Sequence, residues 1–582
     1  MEIITRKQPQ KGRPFVLTLI VAGTLILAVF LILWSERPPQ AKSEVASDLV
    51  FSSERAMRHV ENIAQYPHPS GTLAINGVRV YLREQMEQLE LNPELQEFNG
   101  RLKTKHFDAD IELTNILGVI KGSGNGKPLL LMSHYDSVPT GPGANDASVS
   151  VASLLETARA LQAGPKLQND IWILLTDGEE RGLLGAEVFF RDPKHQETIG
   201  MVANFEARGS KGSSFMFQTS EGNGRLIEEY SKAVTNPVSN SLLVDLYKKL
   251  PNDTDLTVAL ENGLPGLNFA YGDGWVAYHT PMDNVDNVSL QTMQHQGENA
   301  LAIAKHFGNL DLSNLESENR IYFNMFGILI HYPASWSVLI SVIFAGIWLF
   351  FVIYFVRKSL VTLKGSLLGL LITLGSMLLS IGLSYGLWQL IFAGWAHKVT
   401  MFSGATYDAI LYNVCFALVA LIVNVVLFRL VIRKVNEVDM MLSGMCLFLL
   451  LLIGSTWMLP GASYLFTIPL LAHFIALTWA IWSRKPMEIV NHPVVILGTL
   501  LIPVLMFTSF FYILFIMMPP SISLFSSAIA SLILAFSYPA MKLLAQSWRL
   551  VLPAAMLAIV LLLAFGWDQA EPSPERPVYT AR

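Results

Sequence analysis

Residues 129–137 read LLLMSHYDS, a short apolar run of buried-strand type that turns abruptly into histidine, tyrosine, aspartate and serine. The same change happens twice more. Ile171–Thr176 (IWILLT) runs into Asp177-Gly178-Glu179-Glu180, and Met201–Phe205 (MVANF) runs into Glu206. Helical patterns at Ala147–Leu161 and Leu183–Phe190 lie between them, and Leu290–Phe307 closes the stretch. Strands alternating with helices predict an α/β fold, a mostly parallel mixed sheet flanked by helices. Ligands of such sheets gather beyond the carboxyl ends of the strands. The residues just after each run are therefore the ones to inspect.

They carry metal-ligand chemistry. His134 and Asp136 follow the first run, and a Gly/Pro loop then leads to Gly143-Ala144-Asn145-Asp146 at a helix start. Glu179 and Glu180 follow the second run and Glu206 the third, while a loop after Leu267–Tyr271 carries Tyr278-His279-Thr280-Pro281. Imidazoles and carboxylates are the donors that zinc and similar divalent ions select. Taken one at a time, each has a plainer reading. His134 is then a hydrogen-bonded loop residue, Asp146 a helix N-cap, Glu179-Glu180 a charged turn, and Glu206 a surface partner of Arg208. All of those readings must hold together to remove the site, and the pattern recurs after successive strands.

Outside this stretch the composition changes. The chain has 582 residues, 52% hydrophobic and 15% charged, with a mean hydropathy of +0.41. Only 15 of its charged side chains fall in residues 336–567. An ordinary soluble protein is about 25% charged, so the chain divides into a water-soluble part and a lipid-soluble part. A net charge of −5 and the lack of any Lys/Arg-rich run exclude a basic nucleic-acid binder. Cys415 and Cys446 both lie in apolar stretches, so the soluble part has no disulfide framework.

Phe15–Trp34 is uncharged and long enough to cross a bilayer. Arg6, Lys7, Lys11 and Arg13 precede it, and it ends in Leu33-Trp34-Ser35-Glu36 rather than the small residues of a cleavage site, which favours a retained anchor over a signal peptide. Further spans are expected near 337–356, 366–394, 408–428, 440–459, 462–482, 494–518, 521–541 and 550–567, giving a polytopic α-helical membrane domain of about nine transmembrane helices. Arg357/Lys358/Lys364, Arg429/Arg433/Lys434, Arg484/Lys485 and Lys542/Arg549 then fall on one side, with only Lys398 opposite. By the positive-inside rule that side is cytoplasmic. The expected organisation is a cytoplasmic N-terminus (1–14), an anchor (15–34), an extracytoplasmic domain (35–335), an eight-helix membrane domain (336–567) and a disordered extracytoplasmic tail (568–582). Absent disulfides favour a bacterial cytoplasmic membrane over an organelle. Within the spans His473 is essentially the only ionisable residue, with His397 near a boundary, which suits a packed anchor better than a transporter.

The run HYDSV…GANDAS…TDGEERGLLGAE…NFEARGS…YHTPMDNVDNV resembles the M28 family of zinc peptidases over roughly residues 50–310, and the span arrangement is similar to that family's membrane-bound branch. The resemblance implies a zinc aminopeptidase-like fold, a peptide substrate and two zinc ions per chain. His134 and Glu206 would hold one ion, Glu180 and His279 the other, with Asp146 bridging. Many soluble members have Asp where this chain has Glu206, still a competent ligand. Glu179 would be the general base, and Asp136 would fix the His134 ring. Asp283 and Asp286 would shape the loop around His279, and Asn252-Asp253-Thr254-Asp255 resembles a segment near the family's substrate pocket. Asn252 and Asn287 also begin N-x-S/T sequons. Two competing expectations stay open: a single-zinc glutaminyl-cyclase-like transferase and a non-catalytic receptor or scaffold on the same fold. The residues leave side-chain preference and oligomeric state open.

Overall fold

The computed structural model describes residues 13–103, 108–431, 435–484 and 486–580. Arg6, Lys7, Lys11, Arg433, Lys434 and Lys485 lie outside the described residues. The chain forms two compact units, Ser35–Trp336 and a second made of the N-terminal residues to Trp34 with Ser337–Arg582.

The first unit is built on a seven-stranded sheet. Its strands are β1 (Glu94–Lys103), β2 (Asp108–Ile120), β3 (Leu129–His134), β4 (Ile171–Thr176), β5 (Met201–Phe205), β6 (Phe215–Thr219) and β7 (Gly266–Ala270), in the order β1-β2-β4-β3-β5-β7-β6. The four central strands β4-β3-β5-β7 are parallel, while β1, β2 and β6 pair antiparallel. The sheet is thus mixed, with its parallel part in the middle. That is where strands covered on both faces read as unbroken apolar runs. Along β3, Leu129 and Leu131 face one core with Leu154, Leu155 and Phe307, and Leu130 and Met132 face another with Phe189, Phe190 and Leu256. This is the two-residue alternation of a strand. The hairpin β1–β2 was not expected, because the apolar residues of β1, Leu95, Phe98 and Leu102, do not alternate with polar ones as in a strand. A small second sheet pairs β8 (Arg320–Met325) with β9 (Ile328–Pro333).

Two helix starts differ from expectation. The helix read as beginning at Ala147 begins at Ser150, after an irregular turn in which Asp146 (φ −108°, ψ 88°) and Ala147 (φ −126°, ψ 31°) are non-helical. The second starts at Leu184, because Leu183 takes a left-handed φ of 62°.

In the other unit, eight helices among the described residues are long and apolar enough to cross a membrane. A ninth candidate, Pro520–Phe536 with Tyr538–Gln546, is bent by 94°. The expected straight span 521–541 is therefore broken, at Ser537. Pro539 sits in the first turn of the second segment, where a missing N–H costs nothing. The break frees the carbonyl of Phe536, which lies 3.1 Å from His473 Nε2. His473 thus serves the bend. Short polar bridges hold the bundle, including Asn424 Nδ2 donating to Ser531 Oγ (2.9 Å) and Ser531 Oγ donating to Ser380 Oγ (2.8 Å). Such bridges join helices where apolar burial alone cannot.

The described part of the tail is not loose. Arg576 pairs with Asp408, Tyr407 Oη donates to the Pro577 carbonyl (3.1 Å), and Phe402 N–H donates to the Tyr579 carbonyl (2.9 Å). Its Pro- and charge-rich composition suggested disorder, but these partners lie far away in sequence.

Candidate metal centre

The carboxyl ends of β3, β4 and β5 lie side by side, since these strands pair in register as parallel neighbours. His134 closes β3, Glu179 and Glu180 follow β4, and Glu206 follows β5. Gly178 has φ +82°, a conformation that a side chain would strain, and it turns the chain straight after β4 so that the two glutamates come back over the sheet end. Gly143 (φ +68°) does the same ahead of Asp146. A Cβ there would lie 2.7 Å from the Asp146 carbonyl oxygen.

Five side chains converge. His134 Nε2 is 3.2 Å from Asp146 Oδ1 and 3.3 Å from Glu206 Oε2. His279 Nε2 is 3.2 Å from Asp146 Oδ2 and 3.2 Å from Glu180 Oε1. The two oxygens of Asp146 are thus divided between two imidazoles. One ligand atom each from His134, Asp146 and Glu180 falls within a 4.8 Å group, which Glu206 extends on one side and His279 on the other.

The electrostatics show what is missing. Burial alone would lower His134, but Glu206, Asp136 and Asp146 push it well above its ordinary value. Burial would also lower His279, yet Asp146 and Glu180 raise it to about 10. Burial, and then the charge of Asp146, pushes Glu180 up to about 7. Asp146 opposes its own burial and is held below the usual range by the two imidazoles. The cluster therefore draws positive charge. Glu180 Oε1 and His279 Nε2 are buried and make no hydrogen bond although they face each other. Orphaned donors of this type, oxygen and imidazole nitrogen aimed at common points, fit divalent metal ions such as zinc.

The surrounding residues hold this arrangement. Asp136 accepts the N–H groups of Glu179 (3.1 Å) and Glu180 (3.3 Å) and the hydroxyl of Ser70 (3.0 Å). His134 Nδ1 is nearer to the Asp136 carbonyl oxygen (3.0 Å) than to its carboxylate (3.5 Å). Asp136 therefore positions the glutamates as much as the ring. Asn204 Nδ2 donates to Glu206 Oε1 (3.0 Å). His279 itself has a φ of 57°, unusual without glycine, and Thr140 Oγ1 holds its carbonyl (2.8 Å). Glu179 is placed beside His134 and Glu206, and burial raises it well above the carboxylate range. Asp255, from the segment that resembles the family's pocket, is buried beneath the site, where the Thr176 hydroxyl donates to it. Asp286 is exposed.

Asp283, expected to shape the loop around His279, is tied to the loop of Asp146. It is 4% exposed and accepts three N–H groups, from Asn145 N (2.7 Å), Asn145 Nδ2 (3.0 Å) and Asp146 N (3.2 Å). Replacing it with Ala leaves three buried donors unpaired, and each costs about 1–3 kcal/mol. Asp283→Ala is expected to destabilise the chain by about 3 kcal/mol or more, read as a lowered thermal midpoint, with Asp283→Asn in between.

Residues 115–304 match the model of Peptidase family M28. This stretch of the chain is similar to Peptidase family M28. Endoplasmic reticulum metallopeptidase 1 of Mus musculus is 27% identical over 318 residues, covering 50% of this chain and 35% of that protein. The vacuolar membrane protease of Candida dubliniensis is 29% identical over 339 residues, covering 56% and 36%. This chain therefore spans about a third of the length of these curated relatives. Among solved structures, the aminopeptidase from Aneurinibacillus sp. strain AM-1 has 14% identity and a TM-score of 0.38, covering 44% of this chain and 94% of that one. The matched stretch includes Glu179 and all five converging residues, His134, Asp146, Glu180, Glu206 and His279.

Proposed function

We propose that this chain is a membrane-anchored zinc peptidase, specifically an aminopeptidase with two zinc ions. The observation that carries the reading is the division of the Asp146 carboxylate between His134 and His279. His134, Glu206 and Asp146 would hold one ion, and Glu180, His279 and Asp146 the other. When bound, the ions supply Lewis-acid polarisation of the scissile carbonyl and acidify water. Glu179, whose N–H is held by Asp136, takes the proton of the attacking water and returns it to the leaving amine. Asp136 fixes the backbone of Glu179 for that transfer.

The test is the full chain in detergent, assayed for bound metal and against short peptides with free or blocked N-termini. Two zinc ions and release of N-terminal residues support the reading. Cyclisation of N-terminal glutamine with one zinc would instead establish the transferase reading. A folded, zinc-replete but inert chain would establish the scaffold.

The topology proposed from the sequence puts residues 35–335 outside the cytoplasm. Contacts in the membrane unit support one part of it. The loop Ala396–Asp408 and the tail beyond Asp568 are bonded, through Lys398–Glu571 (2.6 Å) and Arg576–Asp408, so they share a side. Five long helices separate them, so the bent pair would cross once to bring the total to six. In sealed vesicles a tag on the tail is expected to share the protease sensitivity of the M28 domain, and opposite sensitivities would make the bent pair re-entrant.

A further inference from the structure

Arg208 lies two residues beyond Glu206, and its backbone N–H donates to the Tyr271 carbonyl (2.9 Å). Its guanidinium carbon lies 5.2 Å from the ring centroid of Trp275 and 5.8 Å from that of Tyr278. The Tyr278 ring stacks in turn on the His279 imidazole, with centroids 3.8 Å apart. The cation therefore stands one aromatic ring away from the metal centre. Ring faces hold a guanidinium in place without neutralising it.

Among the described residues its Nε has no acceptor. The surface pair with Glu206 that the sequence allows does not form, because Glu206 is turned to His134. Arg208 Nε is buried with no hydrogen-bond partner, and so is Trp275 Nε1. Two unpartnered buried donors, one on a permanent cation, call for an anionic acceptor. A planar guanidinium matches a carboxylate best. Under the aminopeptidase reading the N-terminal end of the substrate lies at the metal centre, so a carboxylate on Arg208, one aromatic ring away, belongs to the other end of the same short molecule.

We propose that Arg208, together with Trp275, binds the free C-terminal carboxylate of a di- or tripeptide substrate. This specificity rests on the peptidase reading above. It makes the chain selective for short peptides rather than for the ends of proteins.

The test uses the zinc-loaded full chain and three substrates: a dipeptide, the same dipeptide amidated, and an amidated dipeptide with glutamate in the second position. The free acid is expected to exceed its amide about tenfold to a hundredfold in kcat/KM, mainly through KM. In Arg208→Gln that ratio falls to near one, and Trp275→Phe lowers it partly. If the glutamyl amide alone matches the free acid, the pocket reads an acidic side chain, and the C-terminal assignment fails. Equal rates for acid and amide, or a ratio that survives Arg208→Gln, overturn the proposal. Binding is read separately with Glu179→Gln by quenching of tryptophan fluorescence. If no peptide is cleaved, the peptidase reading fails, while acid-selective binding that Arg208→Gln abolishes still establishes the pocket. Absence of such selectivity overturns it.

Discussion

Glu179→Gln is expected to lower kcat by about a hundred- to ten-thousandfold, the contribution of a placed general base, while the bound zinc stays at its wild-type level. Glutamine keeps the volume of glutamate and its place after Gly178, so the Asp136 hydrogen bonds to N–H 179 and N–H 180 survive. What it loses is the ability to accept a proton. Glu180, one residue on, serves as an internal comparison, since its carboxylate faces His279. Glu180→Gln should lower the metal content as well as the rate. The adjacent glutamates thus separate by readout, one affecting the rate alone and the other affecting both. A loss smaller than about tenfold for Glu179→Gln would show that another group takes the proton.

The residue types were legible because they sit at the ends of runs whose pattern is strong, while the division of labour between Glu179 and Glu180 is what the family resemblance implies. β3, β4 and β5 are buried on both faces, so their apolar runs are unbroken and their ends are sharp. His134, Glu180 and Glu206 are legible for that reason, Asp146 and His279 stand out as ligand types in the loops nearby, and the family resemblance supplied the pairing of ligands. The supports were harder to see. Asp283 reaches back 137 residues to the Asp146 N–H, and Ser70 reaches 66 residues forward to Asp136. No local spacing encodes a partner at that distance. Arg79 and the buried Asp177 form another such pair (3.0 Å), visible only once the helix Leu73–Gln88 is placed beside β4.

In the fold the misses differ in cause. The apolar residues of β1, Leu95, Phe98 and Leu102, lack the alternation of a strand, so this stretch resembles a loop with scattered hydrophobic residues. Hydropathy reports that residues 521–541 are apolar but carries no information about direction, so the bend at Ser537 escapes it. The tail escapes for the opposite reason. Its composition is that of a disordered segment, yet Arg576 finds Asp408 and the Tyr407 ring face, at 4.6 Å from the ring centroid. A few strong long-range partners outweigh composition over a dozen residues.

Asp146→Asn is expected to have the largest effect on the chain's metal content. The wild type should hold two zinc ions, and the variant fewer than one, with kcat/KM reduced at least about a thousandfold, roughly 4 kcal/mol of transition-state stabilisation. The reasoning starts from the two oxygens, Oδ1 toward His134 and Oδ2 toward His279. An amide offers only one oxygen and no charge, so whichever way it turns, one imidazole loses its shared partner. The charge matters equally. Asp146 helps draw both imidazoles above their ordinary values, and the positive charge it attracts is the charge a metal brings. Stability supplies a second readout that needs no turnover. A ligand that binds only the folded chain stabilises it by about 2.7 kcal/mol at a hundred times its Kd. Zinc should therefore raise the thermal midpoint of the wild type, chelation should reverse that, and Asp146→Asn should be insensitive to both. Asp283 continues to hold the N–H groups of residues 145 and 146 in the variant, so the fold itself is retained. One zinc in the wild type, still bound in the variant, would mean that Asp146 does not bridge. The glutaminyl-cyclase-like reading would then take the place of the two-ion peptidase.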